Sequence, residues 1–466
     1  MDTKRIDKKL IILLGLYCLL RLPLLLSPLE DVTYEIYRGA IAHDLIHGLK
    51  LSFWDYAADP YGLGPLLNGF WTVPFFLLFG ENWFALKFAP FAWHFLTVFV
   101  WYYVWKDYYV PQKAFLISLF FILAPSTIIE YSLTNSGYHF EMVLWMGLTL
   151  LLLRRVLAGT FWLGMLGGFS SAMVLTNLVT VATVLFYLKN SRLYLFYLVG
   201  FCVGFSPLVF FNTGSNWGEA NFAYFAYTLF TIEASIPSWI INGKELLTQG
   251  LPALFGFGKL PQPLAWLFSF LFTGLYLLSL IHLTIRKPKL PIESFGLLFQ
   301  VLLLVCAVLA SNGTRPYYLF PLVPFVGMNL ALLLESLRKE FQYSLLSFCF
   351  IGGLIGNLSL LQPARFGESF SMPGYSKMDG LVWTLENRFG HDLKLFWEKS
   401  RIVLANESLD FKKEFYGSLS GELFKIKSEE DLKQALSFIE ELEPELRPPL
   451  LERLEMALKR YRLERK

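Results

Sequence analysis

Four places in this chain gather side chains that could do chemistry. The first is the acidic pair Glu30 and Asp31, just past an apolar run. A carboxylate beside hydrocarbon has its pKa raised toward the working range and suits general-base work. A plain helix cap by Asp31 accounts for it equally well. The second is His43-Asp44-Leu-Ile-His47, two histidines at i and i+4, a spacing that puts both imidazoles on one helix face as in zinc hydrolases. The base position holds Asp, one methylene shorter than Glu, and no third ligand stands nearby in sequence. An interfacial polar face is therefore expected there, and no metal is assigned. The third is Tyr131 to Glu141, which joins two apolar segments and carries Asn135, His139 and Glu141. An ionisable group at a membrane helix end is costly unless it has a job, the alternative being an exposed polar loop. The fourth is Arg315-Pro316-Tyr317 at the entrance of a helix, where an arginine can grip a lipid phosphate with its planar fork or simply anchor the interface.

The elements that must position these residues are membrane helices. Of 466 residues, 55% are hydrophobic and 17% charged, against about 25% charged in an ordinary soluble domain. The 45 Phe, 23 Tyr and 13 Trp suit lipid-facing and interfacial surfaces. A net charge of +3 is too small to imply a nucleic-acid partner. Cys18, Cys202, Cys306 and Cys349 all lie in apolar runs, which predicts free buried thiols. Lys4, Arg5, Lys8 and Lys9 precede the apolar run Leu10 to Leu26, which resembles a secretory signal without a small-residue cleavage site. It reads as an uncleaved first helix entering from the cytoplasm, with Arg21 either snorkelling to the outer interface or facing an internal polar site.

Apolar segments recur near 10–27, 66–80, 83–105, 114–129, 142–158, 161–188, 193–211, 263–285, 295–310, 317–335 and 343–361, giving roughly ten to thirteen helices, since hydrocarbon leaves no other way to satisfy the backbone. Lys189 with Arg192, Arg286-Lys287-Pro288-Lys289 and Arg338-Lys339 are expected on the cytoplasmic side. A cytoplasmic Arg154-Arg155 conflicts with simple alternation unless one short segment fails to span: either 66–80 is a juxtamembrane or re-entrant helix, the favoured arrangement, with 28–64 and 132–141 outside, or 66–80 spans, 161–188 is a single helix and 132–141 is cytoplasmic. The polar stretches 28–64 and 212–262 become outer loops of the kind that carry function. The division is a transmembrane unit, 1–361, and a soluble charged helical unit, 362–466, also on the outer side. In the tail, segments beginning at Gly380, Gly417 and Leu451 echo one another near 35 residues apart, as in a short helical repeat or in amphipathic helices alike only in composition.

In order along the chain, these residues resemble the GT-C superfamily of membrane glycosyltransferases, the group of the protein O-mannosyltransferases and the bacterial aminoarabinose transferase. The likeness runs through Glu30-Asp31-x-x-Tyr34 with Ala40 and Gly48, Tyr61-Gly-Leu-Gly-Pro65, Leu78-Phe-Gly80-Glu-Asn82-Trp-Phe-Ala85-Leu-Lys87, Ser136-Gly-Tyr-His-Phe-Glu141, Gly204-Phe-Ser-Pro207 with Asn212, Leu251 to Gly256 and Arg315 to Pro321. It covers residues 1–361. The fold class it implies is an all-α polytopic membrane protein, a GT-C-like transmembrane helical bundle with a short soluble helical tail. The activity it implies is inverting transfer of a sugar from a polyprenyl-phosphate donor to a lipid, glycan or protein acceptor on the periplasmic side of a bacterial inner membrane. Asp31 or Glu30 would be the base. Arg315, helped by Tyr317 or Lys87, would neutralise the departing phosphate, His139 and Glu141 would shape the sugar or acceptor pocket, and Tyr34, Tyr37, Arg38 and Tyr61 would complete the substrate-binding set. No cofactor is expected, a divalent cation being the one open alternative, and membrane lipids are the remaining partners. Pro316 between Arg315 and the tyrosines, and the short tail, depart from the pattern. A transporter or flippase of lipid-linked sugars and a membrane anchor for the tail are the rival readings; matching halves, which a transporter usually shows, are not seen.

Overall fold

The structure is a computed structural model that describes residues 7–29, 33–49, 53–56, 63–137, 140–155, 159–188, 191–214, 235–310, 313–373, 381–382, 385–386, 393–419 and 429–464. Each apolar run of the sequence falls on helix among the described residues. In chain order the elements are α1 (Lys8–Leu25), α2 (Thr33–His47), α3 (Gly64–Phe79), α4 (Trp83–Tyr108), α5 (Pro111–Ile122), α6 (Ser126–Ser132), α7 (Glu141–Arg155), α8 (Thr160–Met173), α9 (Leu178–Tyr187), α10 (Ser191–Gly214), α11 (Ile236–Glu245), α12 (Gln262–Arg286), α13 (Pro291–Leu309), α14 (Val323–Ser336) and α15 (Lys339–Ser359). The tail adds α16 (Leu393–Leu404), α17 (Leu409–Ser418), α18 (Glu429–Glu441) and α19 (Arg447–Glu464). Among the described residues six helices, or seven if α5 and α6 form one broken span, are long and apolar enough to cross a membrane. That is fewer than ten because α3, α7 and α9 are short, and because α1 carries Lys8, Lys9 and Arg21 in its 18 residues.

The basic turns meet at one end of the bundle. Asp7 caps α1 by accepting from the Lys9 N–H at 3.0 Å. It also accepts from Tyr102 at 2.7 Å and from Lys106 at 2.8 Å, so α1 and α4 run antiparallel. The Lys106 hydrogen bond, seconded by that of Tyr102, holds the Asp7 carboxyl down at about 2. At the same end Tyr109 donates to Glu293, which pairs with Arg286, and Lys113 pairs with Glu335. The chemistry, described below, lies at the opposite end.

Between α5 and α6 the chain turns through 83°. The last carbonyls of α5 have no helical partner there, and Arg21, fully buried, supplies one. Its guanidinium donates to Ile122 O at 2.8 Å and Phe121 O at 3.3 Å, and to the Asn357 side-chain oxygen. Asn357 in turn donates to Ile122 O at 3.2 Å. Of the two roles open to it in sequence, the arginine takes the internal one and does not snorkel.

α8 and α10 pack backbone to backbone. A Cβ on Gly164 or Gly168 would lie 2.0 and 2.1 Å from Tyr197 O and Phe201 O; on Gly200 or Gly204 it would lie 2.1 and 2.0 Å from Phe161 O and Met165 O. This is the small-residue contact by which helices associate where lipid offers no hydrophobic drive. Gly168→Leu is expected to cost about 1–3 kcal/mol through forced separation, read as a lowered unfolding midpoint in detergent. Gly274→Ala, with open space around it, serves as the control; equal midpoints for the two variants would remove the glycines from this role.

The four cysteines are free, yet Cys202 and Cys306 face out of the bundle, because α10 and α13 each keep one side open. The expected outer loop 212–262 contains structure: Ser235 caps α11, which continues through a π turn, Leu246–Gly250, into Leu251–Leu254. In the tail Trp397 stacks on Phe438 at 3.7 Å. Of the three echoing tail segments, the one at 451–458 lies wholly in described helix. The connection into the tail is fastened to the bundle: Gly367 N donates to Leu26 O at 2.7 Å, Trp83 N to Met372 O at 3.0 Å, and Phe370 stacks on Phe84 at 4.5 Å.

Candidate active site

Away from the basic turns, α2 lies against α3 and turns Glu35 and Arg38 inward, both fully buried. Burying a lysine in the apolar α4 would be prohibitive alone. Lys87, 2% exposed, instead meets the Glu35 carboxylate at 2.5 Å and sits 5.0 Å over the Trp83 ring. The other Glu35 oxygen accepts the Asn135 N–H at 2.7 Å. Asn135 donates to Thr72 Oγ1 at 2.9 Å and Leu86 O at 3.3 Å, closing the gap between α3 and α4.

Asn68 of α3 links this pair to a second carboxylate. Its amide donates to Asn135 Oδ1 at 3.0 Å and to Glu141 Oε1 at 2.6 Å. Glu141, 4% exposed, also accepts the Gly137 N–H at 2.9 Å, and its backbone oxygen takes the Trp93 indole at 3.3 Å. Arg38 donates twice to Ser136 O, at 3.1 and 2.8 Å. The 133–137 turn is held so closely because Gly137 adopts φ +81° and Gly64 opposes it; a Cβ on Gly64 would lie 1.7 Å from Gly137 O. Two carboxylates, a lysine and an arginine thus converge from α2, α4 and the first residue of α7, with amide donors from α3 and the 133–137 turn fixing one oxygen of each carboxylate. Such a densely bonded network is rigid and suits the orientation of a polar substrate.

Of the residues expected in the site, Arg38, Lys87 and Glu141 come together here. Tyr37 lies beside Arg38, whose guanidinium is 5.0 Å over its ring, and donates to Tyr56 O. Arg315 is exposed and donates to Tyr317 Oη at 2.7 Å. Pro316 does not separate the two: it starts the 3-10 helix Pro316–Leu322, a position where proline's fixed φ is an asset. That helix joins the network's wall, Phe320 packing 4.9 Å from Tyr131 and 5.8 Å from Phe140. Glu30, Asp31, Tyr61 and His139 lie outside the described residues, as does the Tyr34 side chain. An apolar groove lined by Leu116, Phe120, Gly327, Leu330, Cys349 and Phe350 carries no charged side chain and is separate from this network.

Glu35, Asn68 and Thr72 had not been singled out. Signals for two of them were present: a lysine in an apolar helix implies an acid on a neighbouring element, and a lone Asn in the run 66–80 implies a buried partner.

No family model and no curated protein sequence matches the chain. Among solved structures, it is similar to ArnT from Cupriavidus metallidurans bound to undecaprenyl phosphate, at 13% identity and TM-score 0.51 over 95% of this chain and 84% of that one. Two structures of the Archaeoglobus fulgidus oligosaccharyltransferase also match. The apo form does so at 14% identity and TM-score 0.46, over 81% of this chain and 57% of that one. The form tethered to an acceptor peptide does so at 15% identity and TM-score 0.42, over 83% and 58%. The chain spans less than two thirds of those two structures. Helical in its described elements and carrying membrane-length apolar spans, this chain shares its fold with ArnT along nearly its whole length.

Proposed function

We propose that the protein is a membrane glycosyltransferase that moves a sugar from a polyprenyl-phosphate donor to an acceptor hydroxyl, with inversion, at the end of the bundle opposite Asp7. The observation that carries this reading is the buried network joining Glu35, Lys87, Asn68, Asn135 and Glu141 in a bundle of this fold. The basic turns at the other end favour a cytoplasmic location for that end, and hence a periplasmic one for the network if the membrane is a bacterial inner membrane.

In the reaction, Asp31 or Glu30 takes the proton of the acceptor hydroxyl. The oxygen attacks the anomeric carbon as the bond from that carbon to the phosphate oxygen breaks, and polyprenyl phosphate leaves. Arg315, its guanidinium already directed by Tyr317, neutralises the charge that grows on the phosphate, usually the largest catalytic contribution. Lys87 and Glu141 shape the floor of the site, and Lys87 reaches the phosphate only by leaving Glu35.

Asp31→Asn and Glu30→Gln in membrane-inserted protein, supplied with donor and acceptor, form the test. Loss of the true base is expected to slow transfer by about 10²–10⁴-fold, with donor binding retained. Undiminished transfer by both variants would falsify this mechanism. Movement of intact lipid-linked sugar without cleavage would replace it with a flippase.

A further inference from the structure

We infer that His43, His47 and Glu81 form a binding site for a divalent transition metal of the zinc class, which clasps α2 to the turn between α3 and α4. The two histidines lie one helical turn apart with ring centroids 4.4 Å from each other. The third ligand, missing from the local sequence, arrives from another element: His43 Nδ1 is 2.7 Å from one Glu81 carboxylate oxygen and His47 Nε2 2.6 Å from the other. The ligating atoms all lie within 4.8 Å of one another.

Around a tetrahedral zinc, ligands about 2.0–2.1 Å from the ion sit roughly 3.3 Å from each other. To surround an ion in place of the protons they now share, the two histidine–glutamate distances lengthen by about 0.6–0.7 Å, and the widest pair, at most 4.8 Å apart, closes by no more than about 1.5 Å. Two imidazoles and one carboxylate form a set that selects zinc, cobalt, nickel or copper, whereas magnesium and calcium require oxygen donors. Three protein ligands leave a fourth position for water. Entry is open, since the His47 side chain is 55% exposed while those of His43 and Glu81 are 19% and 23% exposed. The fastening has a clear mechanical sense: the buried ion pair joins Glu35 of α2 to Lys87 of α4, and the metal would brace α2 to the turn that leads into that same α4.

The test uses the full chain in detergent, stripped with a chelator and then titrated with Co²⁺ and Zn²⁺. One Co²⁺ per chain is expected, with d–d absorption bands that one equivalent of Zn²⁺ abolishes and with a raised melting temperature. Glu81→Gln and His47→Gln are each expected to weaken Zn²⁺ binding by more than the roughly 10–100-fold that loss of an outer partner of a ligand costs. His47, being the most exposed of the three, is replaced without disturbing the fold; matched melting in chelator checks this. Absence of a stoichiometric metal in the wild type, or wild-type affinity in His47→Gln, overturns the site. Because the readout needs no sugar donor, the result is independent of whether the chain transfers sugars.

Discussion

Lys87→Met is expected to destabilise the protein by about 3–5 kcal/mol, the cost of stranding a buried charge. The Glu35 carboxylate is fully buried and Lys87 is 2% exposed, so neither group finds water once its partner is gone. The damage would spread, because the same carboxylate accepts the Asn135 N–H, and Asn135 ties α3 to α4. The double variant Glu35→Gln with Lys87→Met removes both charges and is expected to recover much of the loss, since a buried pair contributes little net stability over apolar replacements. Denaturation in detergent of both singles and the double gives the coupling energy. Additive losses would show that the two charges do not depend on each other.

Arg21→Ala is the second large effect expected. The guanidinium satisfies the carbonyl oxygens of Phe121 and Ile122 where α5 stops, and it engages Asn357 on α15. A carbonyl stranded in the interior costs about 1–3 kcal/mol, and of the two Ile122 O would keep its bond from Asn357. Arg21→Lys keeps the charge but loses the planar fork, so it should fall between wild type and alanine. The unfolding midpoint checks the order. If Arg21→Ala melts with the wild type, the 83° corner is held by something else.

The helices were legible in the sequence because hydrocarbon permits almost nothing else to a spanning backbone. The corner at 111–132 was not, since it reads as one apolar run and the residues that hold it, Arg21, Asn357 and Gly256, are distant in sequence. For the candidate site the legible part was local: Glu141 stood out as an ionisable group at a membrane helix end, and Lys87 entered through the family resemblance. Their partners were not legible, because Glu35 lies 52 residues before Lys87 and Asn68 lies 73 before Glu141. Helix patterning assigns faces but says nothing of which face meets which. Glu81 escaped for the same reason, being 38 residues past His43.

The fastening of residues 367–373 onto Leu26, Trp83 and Phe84 decides where scissors should fall. A truncation after Leu361 strips away the strap with the tail, leaving the Leu26 carbonyl and the Trp83 amide without their protein partners. A stop placed after Pro373 keeps that seam sewn, so any activity then lost belongs to the helices beyond it.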